Sequence, residues 1–300
     1  MHDSLSLPLI EPWLLVTLMV VLGLLVGSFL NVVVHRLPLM MEREWRSECR
    51  HLLDIDDNGE DEAFDLVRPR SRCPSCAKPI AAWDNVPVLS YLLLGGKCRH
   101  CRTPISFRYP LVEGVSAATS GFAAWHFGLA DGAPTLLTIV QAVAAAVFGW
   151  YLIVLALIDL DTKLLPDSLT QALLWLGLLA GFHGLFAPDL ESAVLGAVFG
   201  YGSLWSVYWL FKLVTGKEGM GYGDFKLLAA LGAWLGWQSL PVLILLSSAV
   251  GAVVGIGMMV SGLVKRSEPI PFGPYLAMAG YIALYWREPL AALFGPGRVL

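Results

Sequence analysis

Residues 135–158 read TLLTIVQAVAAAVFGWYLIVLALI and contain no charged side chain. An apolar run of about 20 residues is long enough to cross the hydrocarbon core of a bilayer as a helix. Because lipid offers no hydrogen-bond partners, an open chain must satisfy its backbone groups within a helix. Asp159 and Asp161 follow directly, so this stretch predicts a membrane span that ends at two carboxylates.

The composition extends this prediction to the whole chain. Of its 300 residues, 56% are hydrophobic and 15% are charged, and the mean hydropathy is +0.66. A soluble globular protein carries about 25% charged residues, and a chain this apolar has too few polar side chains to cover its surface. The composition therefore excludes a soluble enzyme and a disordered chain. The net charge of −4 excludes a nucleic-acid-binding protein of the basic-patch kind.

Further apolar segments predict additional spans, at 13–34, 111–130, 169–187, 191–214, 225–239, 241–264 and 273–290. Most of the Lys and Arg residues lie between 36 and 108, and basic residues mark the cytoplasmic side of a membrane protein. The later loops alternate between loops that carry Lys or Arg and loops that carry none. This alternation favours about eight spans with both termini outside the cytoplasm.

The predicted fold is an all-α polytopic membrane protein of about eight transmembrane helices, with a small cytoplasmic zinc-ribbon-like domain between the first and second helices. Its expected parts are the first transmembrane helix at 1–35, a cytoplasmic four-cysteine zinc-binding domain at 36–110, and a seven-helix membrane domain at 111–300. An acidic run at 54–62 is interpreted as a solvated loop.

Two CxxC pairs lie in the predicted cytoplasmic domain. Their spacing is typical of a tetrahedral zinc site in which four thiolates fill every coordination position, so the predicted metal is structural. Two redox-active pairs are the alternative, but such pairs are expected in a thioredoxin-like βαβ context, which is missing here. Cys49 stands apart and is interpreted as a free thiol. The predicted ligands are Cys73, Cys76, Cys98 and Cys101.

Two clusters of acidic residues lie at predicted span edges on the cytoplasmic side. One begins at Asp159 and Asp161 and continues to Asp167, and the other is Gly221-Tyr-Gly223-Asp224. Ionisable groups at membrane depth are costly and are candidates for function. Two nearby carboxylates can share a proton and activate a water molecule, as in aspartic proteases. The alternative is that these acids only anchor helix ends in the headgroup region. Lys226 is expected either to hold the site or to meet lipid headgroups.

These motifs resemble those of the bacterial type IV prepilin peptidases, over nearly the whole chain. A lone G-x-G-D pattern is weakly specific, but several blocks in the same order together with the cysteine pairs are specific. Besides the cysteines, the matching blocks are Gly27-Ser-Phe-Leu-Asn31 through Pro38, Arg108-Tyr-Pro-Leu-Val-Glu113, Ile158-Asp159-Leu-Asp161 through Leu165-Pro166-Asp167, Gly221-Tyr-Gly223-Asp224 and Pro271-Phe-Gly-Pro-Tyr275.

The resemblance implies a GxGD-type intramembrane aspartic protease of the bacterial inner membrane whose active site faces the cytoplasm. Its aspartates map onto Asp224 and onto Asp159, which is selected over Asp161 by its distance from the loop proline. The family removes the basic leader of type IV prepilins and pseudopilins after a glycine. It then methylates the new amino terminus with S-adenosylmethionine, whose binding residues the sequence leaves unassigned. The expected partners are these substrates and membrane lipid, without nucleic acid.

Helix position suggests roles for the two aspartates. Asp224 is expected at a helix N-terminus, where the helix dipole favours an anion, and Asp159 near a helix C-terminus, which disfavours one. Asp224 is therefore predicted to be the general base and Asp159 its protonated partner. A peptidase without methyltransferase activity and an ion-coupled transporter remain the alternatives, although paired aspartates at one membrane edge fit a transporter poorly.

Overall fold

The computed structural model describes residues 10–54, 64–129, 134–186, 188–217, 219–262 and 270–286. In these ranges β-structure is limited to two isolated bridges, Arg72 with Pro79 and Lys97 with Pro104, which confirms the predicted all-helical class. The helices are α1 (Pro12–Leu52), α2 (Leu89–Leu93), α3 (Arg108–Leu129), α4 (Leu136–Thr162), α5 (Asp167–Phe182), α6 (Leu190–Thr215), α7 (Tyr222–Leu235), α8 (Leu240–Val260) and α9 (Gly273–Tyr285).

Every predicted span coincides with one of the longer helices, but the helices differ in length. Four segments of the described chain are long and apolar enough to cross a membrane, namely α1, α4, α6 and Trp237–Val260, which includes α8. The chain is therefore a multi-pass membrane protein. In contrast, α7 has 14 residues and is about 21 Å long, which is shorter than a hydrocarbon core. The expected number of about eight spans stays a prediction.

Two compact units make up the chain, residues 1–135 and 136–300. In the first unit, α1 and α3 pack closely because two glycines of α1 face α3. A Cβ on Gly23 would lie 2.6 Å from the carbonyl oxygen of Ser116, and one on Gly27 would lie 2.7 Å from Cα of Glu113. Small residues permit this approach between membrane helices. The division expected at 1–35, 36–110 and 111–300 stays a prediction.

The helix α1 continues as an exposed extension to Leu52, well beyond the expected end of the first span. Arg36 is buried near the start of this extension and donates to the carbonyl oxygens of Asp65 and Pro69, at 2.9 Å and 2.6 Å. These bonds hold the chain that returns toward the cysteine pairs. The acidic run beyond Asp54 up to residue 62 lies outside the described residues, and so do residues 287–290 of the last predicted span.

In the second unit, α7 is the central helix and every residue from Leu227 to Leu235 is buried. Neighbouring helices approach it through glycines: a Cβ on Gly196 would overlap the carbonyl oxygen of Gly232, and one on Gly200 would lie 2.7 Å from that of Leu228. Glycines of α5 and α9 meet the other faces of α7. Because α7 is enclosed from Leu227 to Leu235, this buried part anchors the first turn, which carries Asp224.

Candidate functional site

The carboxylate of Asp159 lies in the last turn of α4 and is buried, with 5% of the residue exposed. Asp161, two positions later, is exposed. Residues two apart on a helix point to different sides. The packing of α4 therefore buries one of the two aspartates and leaves the other exposed. Asp159 is the one directed into the second unit.

Asp224 lies in the first turn of α7 and is also buried, with 7% exposed. Its helix begins after Gly221, and no side chain caps that end. The negative charges of Asp224 and Asp159 interact, so two carboxylates from different helices lie near each other inside the unit. Two buried carboxylates whose charges affect each other favour sharing one proton, because a second buried anion is repelled by the first.

The N-terminus of α9 supplies a hydrogen bond to this pair. The backbone N–H of Gly273 donates to Oδ2 of Asp159 at 2.9 Å, and this bond is buried. A Cβ at residue 273 would lie 2.7 Å from the same oxygen, so glycine is needed for the carboxylate to approach. The block Pro271–Tyr275 is one of the motifs shared with the family, but the sequence does not predict its contact with Asp159.

The side chain of Leu165 lies between the two glycines next to the carboxylates. A Cβ on Gly223 would be 2.7 Å from Cβ of Leu165, and one on Gly273 would be 3.3 Å from its Cδ2. Leu165 belongs to the short loop that joins α4 to α5. The loop after Asp159 therefore packs against the N-termini of both α7 and α9.

An ion pair that the sequence did not predict joins Lys226 to Asp167. Nζ of Lys226 lies 2.6 Å and 2.7 Å from the two oxygens of the carboxylate. Lys226 is expected either to hold the site or to meet lipid headgroups, and here it connects α7, just after the first turn, to the first residue of α5. Asp167 is consequently engaged by a cation of the protein.

The four predicted metal ligands come together in the first unit. The four sulfur atoms all lie within 4.8 Å of one another, and Sγ of Cys73 is 3.7 Å from Sγ of Cys101. A tetrahedral zinc ion with Zn–S bonds of about 2.3 Å places its sulfurs about 3.8 Å apart. The described residues therefore fit a four-thiolate zinc ion. Cys49 is exposed and lies outside this group.

The two cysteine pairs form equivalent turns. In the first turn the N–H of Ala77 donates to the carbonyl of Cys73, and in the second the N–H of Arg102 donates to that of Cys98. Ala77 and Arg102 both have left-handed φ angles, of 56° and 60°. Each turn directs its two thiols toward the same point, which is the arrangement expected of paired zinc knuckles.

The thiol of Cys101 has a polar environment suited to a ligand. Thr103 Oγ1 lies 3.3 Å from its sulfur, and hydrogen bonding with Thr103 lowers the pKa of the Cys101 thiol to about 6. Backbone N–H groups of Cys76 and Ser75 likewise lower the pKa of the Cys73 thiol. Burial and the neighbouring thiols instead raise the pKa of the Cys76 thiol to about 11. Because the thiolate is the metal-binding form, the contacts favour that form at two of the four cysteines.

In comparison with known proteins, one family model matches the cysteine-containing part of the chain and a second matches the part that carries the aspartates. The family model described as Bacterial Peptidase A24 N-terminal domain matches residues 21–127, and the model described as Type IV leader peptidase family matches residues 146–256. The first range includes the four clustered cysteines. The second includes Asp159, Asp224 and the ion pair between Lys226 and Asp167.

Similar proteins match over almost their entire length. Proteins named prepilin leader peptidase/N-methyltransferase are 55% identical to this chain in Pseudomonas aeruginosa and in Stutzerimonas stutzeri, over 95% of this chain and 94% and 95% of theirs. The protein of that name from Aeromonas hydrophila is 55% identical over 93% of both chains. No solved structure matches this chain.

Proposed function

Because the chain belongs to the type IV leader peptidase family, we propose that Asp159 and Asp224 are the catalytic dyad with which it cleaves prepilins. The chain is an enzyme of two activities, leader cleavage and subsequent N-methylation. Type IV prepilins and pseudopilins are its proposed substrates. The observation that supports the dyad is the burial of two interacting carboxylates from α4 and α7 beside the N-terminus of α9.

The proposed hydrolysis uses one proton shared by the dyad. The ionised carboxylate accepts a proton from a water molecule, whose oxygen attacks the carbonyl carbon of the last leader residue. The protonated carboxyl donates its proton to the carbonyl oxygen, which gives a neutral tetrahedral intermediate. Breakage of the C–N bond then releases the new amine, which takes its proton from the carboxyl that was protonated by water. The other carboxylate accepts a proton from one hydroxyl of the intermediate as the leader's carboxylic acid forms, so the dyad is left with one proton again.

Helix position does not distinguish the base from the acid. The sequence placed Asp159 only at the C-terminal end of α4, where an anion is disfavoured. In the folded chain it also meets the N-terminus of α9, and Asp224 lies at the N-terminus of α7. Both carboxylates thus lie at positive ends of helices. The assignment of Asp224 as the base stays a prediction, and the titration belongs to the pair.

The two cofactors have different parts in this proposal. Zinc held by the four clustered cysteines stabilises the turns of the first unit and has no open position for substrate. S-adenosylmethionine supplies the methyl group for the second activity. The described residues do not assign its binding site. By the distribution of Lys and Arg, we place the dyad at the cytoplasmic face of the inner membrane.

The test is a cleavage assay of the purified enzyme in detergent with a prepilin that carries its leader, followed by mass spectrometry. We expect Asp159→Asn and Asp224→Asn to lose leader removal by about 10³-fold or more, since each removes a group that takes part in proton transfer. Asp161→Asn is the matched control and keeps cleavage. Addition of S-adenosylmethionine adds the mass of one methyl group to the wild-type product.

Two outcomes would contradict the proposal. Full cleavage by Asp159→Asn with loss in Asp161→Asn would move the dyad to Asp161. Absence of cleavage by folded wild-type enzyme on several prepilins would refute prepilin substrates and favour the transporter.

A further inference from the structure

The first turn of α9 has one backbone donor that needs an acceptor outside the helix. Phe272 precedes the helix and has no side chain that could cap it. Pro274 has no N–H, and the N–H groups of Tyr275 and Leu276 both donate to the carbonyl of Phe272. The N–H of Gly273 is the remaining donor, and it binds Oδ2 of Asp159. A carboxylate of α4 thus caps α9 from a distance in sequence.

We propose that Gly273 is a positioning residue for leader cleavage, because its N–H reserves Oδ2 of Asp159 as an acceptor and leaves the shared proton to Oδ1 of Asp159 or to Asp224. An N–H can only donate, and the unprotonated oxygen of a carboxyl group is the stronger acceptor, so the bond favours a proton on the other oxygen. The inference rests on the proposed dyad and adds to it the oxygen at which the proton is exchanged.

Apart from Asp224, the charged groups near Asp159 are bonded elsewhere or exposed, so the effect of the Gly273 bond on Asp159 can be distinguished from theirs. Asp224 on α7 is the group whose charge interacts with that of Asp159. Lys226, also on α7, is bonded to Asp167 of α5. Asp161 in the last turn of α4 and Lys163 just beyond its end are exposed. On α9 the other titratable group near its start is Tyr275, whose ring packs against Gly251 of α8.

Two further contacts make the position of the donor rigid. The missing side chain of Gly273 lets Asp159 approach, since a Cβ would be 2.7 Å from Oδ2 and 3.2 Å from Cγ. Leu165 packs against the same glycine and against Gly223 beside Asp224. The donor, the carboxylate and the loop between them therefore move together, as a positioning group requires.

The sharpest test replaces only the donor atom. Glycolic acid incorporated at residue 273 by cell-free synthesis converts the amide into an ester, so that the N–H becomes an oxygen and no Cβ is added. We expect kcat for leader cleavage to fall about tenfold or more with little change in KM, because a hydrogen bond to a charged group is lost. The acidic limb of the pH–rate profile should move up by about one pH unit, since the ionised dyad loses a stabilising donor.

A second variant tests the geometry. Gly273→Ala pushes Oδ2 away and should lower kcat by about 10²-fold. Gly202→Ala is the matched control, because a Cβ on this glycine of α6 meets no atom within 4 Å, and it should cleave like the wild type. Methylation of a pilin that has already lost its leader reports on the folded enzyme and should be unchanged in all three proteins.

The outcomes separate this inference from the proposed function. If the ester enzyme keeps the wild-type kcat and pH profile while Asp224→Asn is inactive, the positioning role is refuted and the dyad stands. If Asp159→Asn and Asp224→Asn both cleave normally, the dyad fails and the positioning role with it. If the ester enzyme and Gly273→Ala lose both methylation and cleavage, the inference is also overturned, because the loss of both activities shows a general structural role.

Discussion

Lys226 and Asp167 form an ion pair in which the ammonium group of Lys226 contacts both carboxylate oxygens, at 2.6 Å and 2.7 Å. Lys226 lies two residues after Asp224, and Asp167 lies two residues after Leu165. The pair therefore connects the helix that carries one catalytic candidate to the loop that packs beside both. Its side chains are 32% and 58% exposed, so water screens the attraction.

Neutralising this pair should affect cleavage more than stability. Exposed ion pairs contribute about 0.2–1 kcal/mol, so Asp167→Asn and Lys226→Met should each lower the free energy of unfolding by less than about 1 kcal/mol. We expect kcat to fall severalfold in both variants because the loop beside the dyad is less restrained. Measurement of kcat in both single variants and the double variant checks this coupling.

Asp161→Asn is the control for that experiment, since it removes an exposed carboxylate close by along the chain. If the fold-losses of kcat in the two single variants multiply in the double variant, so that their free energies add, the two residues act separately. Unchanged kcat in every variant would refute a role for the ion pair in cleavage.

Leu165→Ala should weaken the contact between the α4–α5 loop and the N-termini of α7 and α9. The leucine is half-buried, so we expect a loss of about 1–2 kcal/mol in the free energy of unfolding, below the range for a fully buried leucine. The cleavage rate should fall by more than this loss of stability alone explains, because Leu165 contacts Gly223 and Gly273, which adjoin the aspartates. Thermal unfolding in detergent and the cleavage rate measure the two effects.

Leu164→Ala is the matched control for Leu165→Ala, because the preceding leucine belongs to the same loop and is exposed. Equal effects of the two substitutions on cleavage would contradict the packing role of Leu165.

Gly196→Ala should force α6 away from α7. The added methyl group would overlap the carbonyl oxygen of Gly232, and overpacking of this kind costs about 1–3 kcal/mol or more. In Gly202→Ala, on the same helix, the methyl group meets open space, and higher helix propensity should leave stability unchanged or raise it by up to about 1 kcal/mol. The difference between the two melting temperatures is the measurement, and similar values would refute the close crossing.

Removal of one zinc ligand should loosen the first unit. We expect Cys73→Ser to lower the zinc content measured by elemental analysis from about one ion per chain to well below that, and to expose residues 64–107 to protease. Short helix α2 has no buried residue, so little apolar packing replaces the metal. Chelation of the wild-type enzyme should give the same fragments.

Cys49→Ser is the control for the zinc experiment, because Cys49 is exposed and lies outside the sulfur cluster. Its zinc content and digestion pattern should match those of the wild type. A normal zinc content in Cys73→Ser would refute the four-thiolate site.

Much of the fold followed from local features of the sequence. Long apolar runs predict helices because lipid leaves the backbone no other partner, and each predicted span coincides with a helix of the described chain. The cysteine spacing predicted the sulfur cluster because two short turns suffice to form it. The length of α1 beyond residue 34 was missed, because polar residues such as Glu44 and Glu48 carry no signal of membrane insertion.

The sequence by itself determined the helical membrane class, the four cysteines that cluster and, through its resemblance to a family, the candidate aspartates. These features depend on composition and on residues close together in the chain. Only the tertiary structure decided that Asp159 is buried while Asp161 is exposed, that Lys226 binds Asp167, and that Gly273 donates to Asp159 across 114 positions. Such contacts depend on how glycine-lined helices pack around α7, and no local pattern encodes that packing.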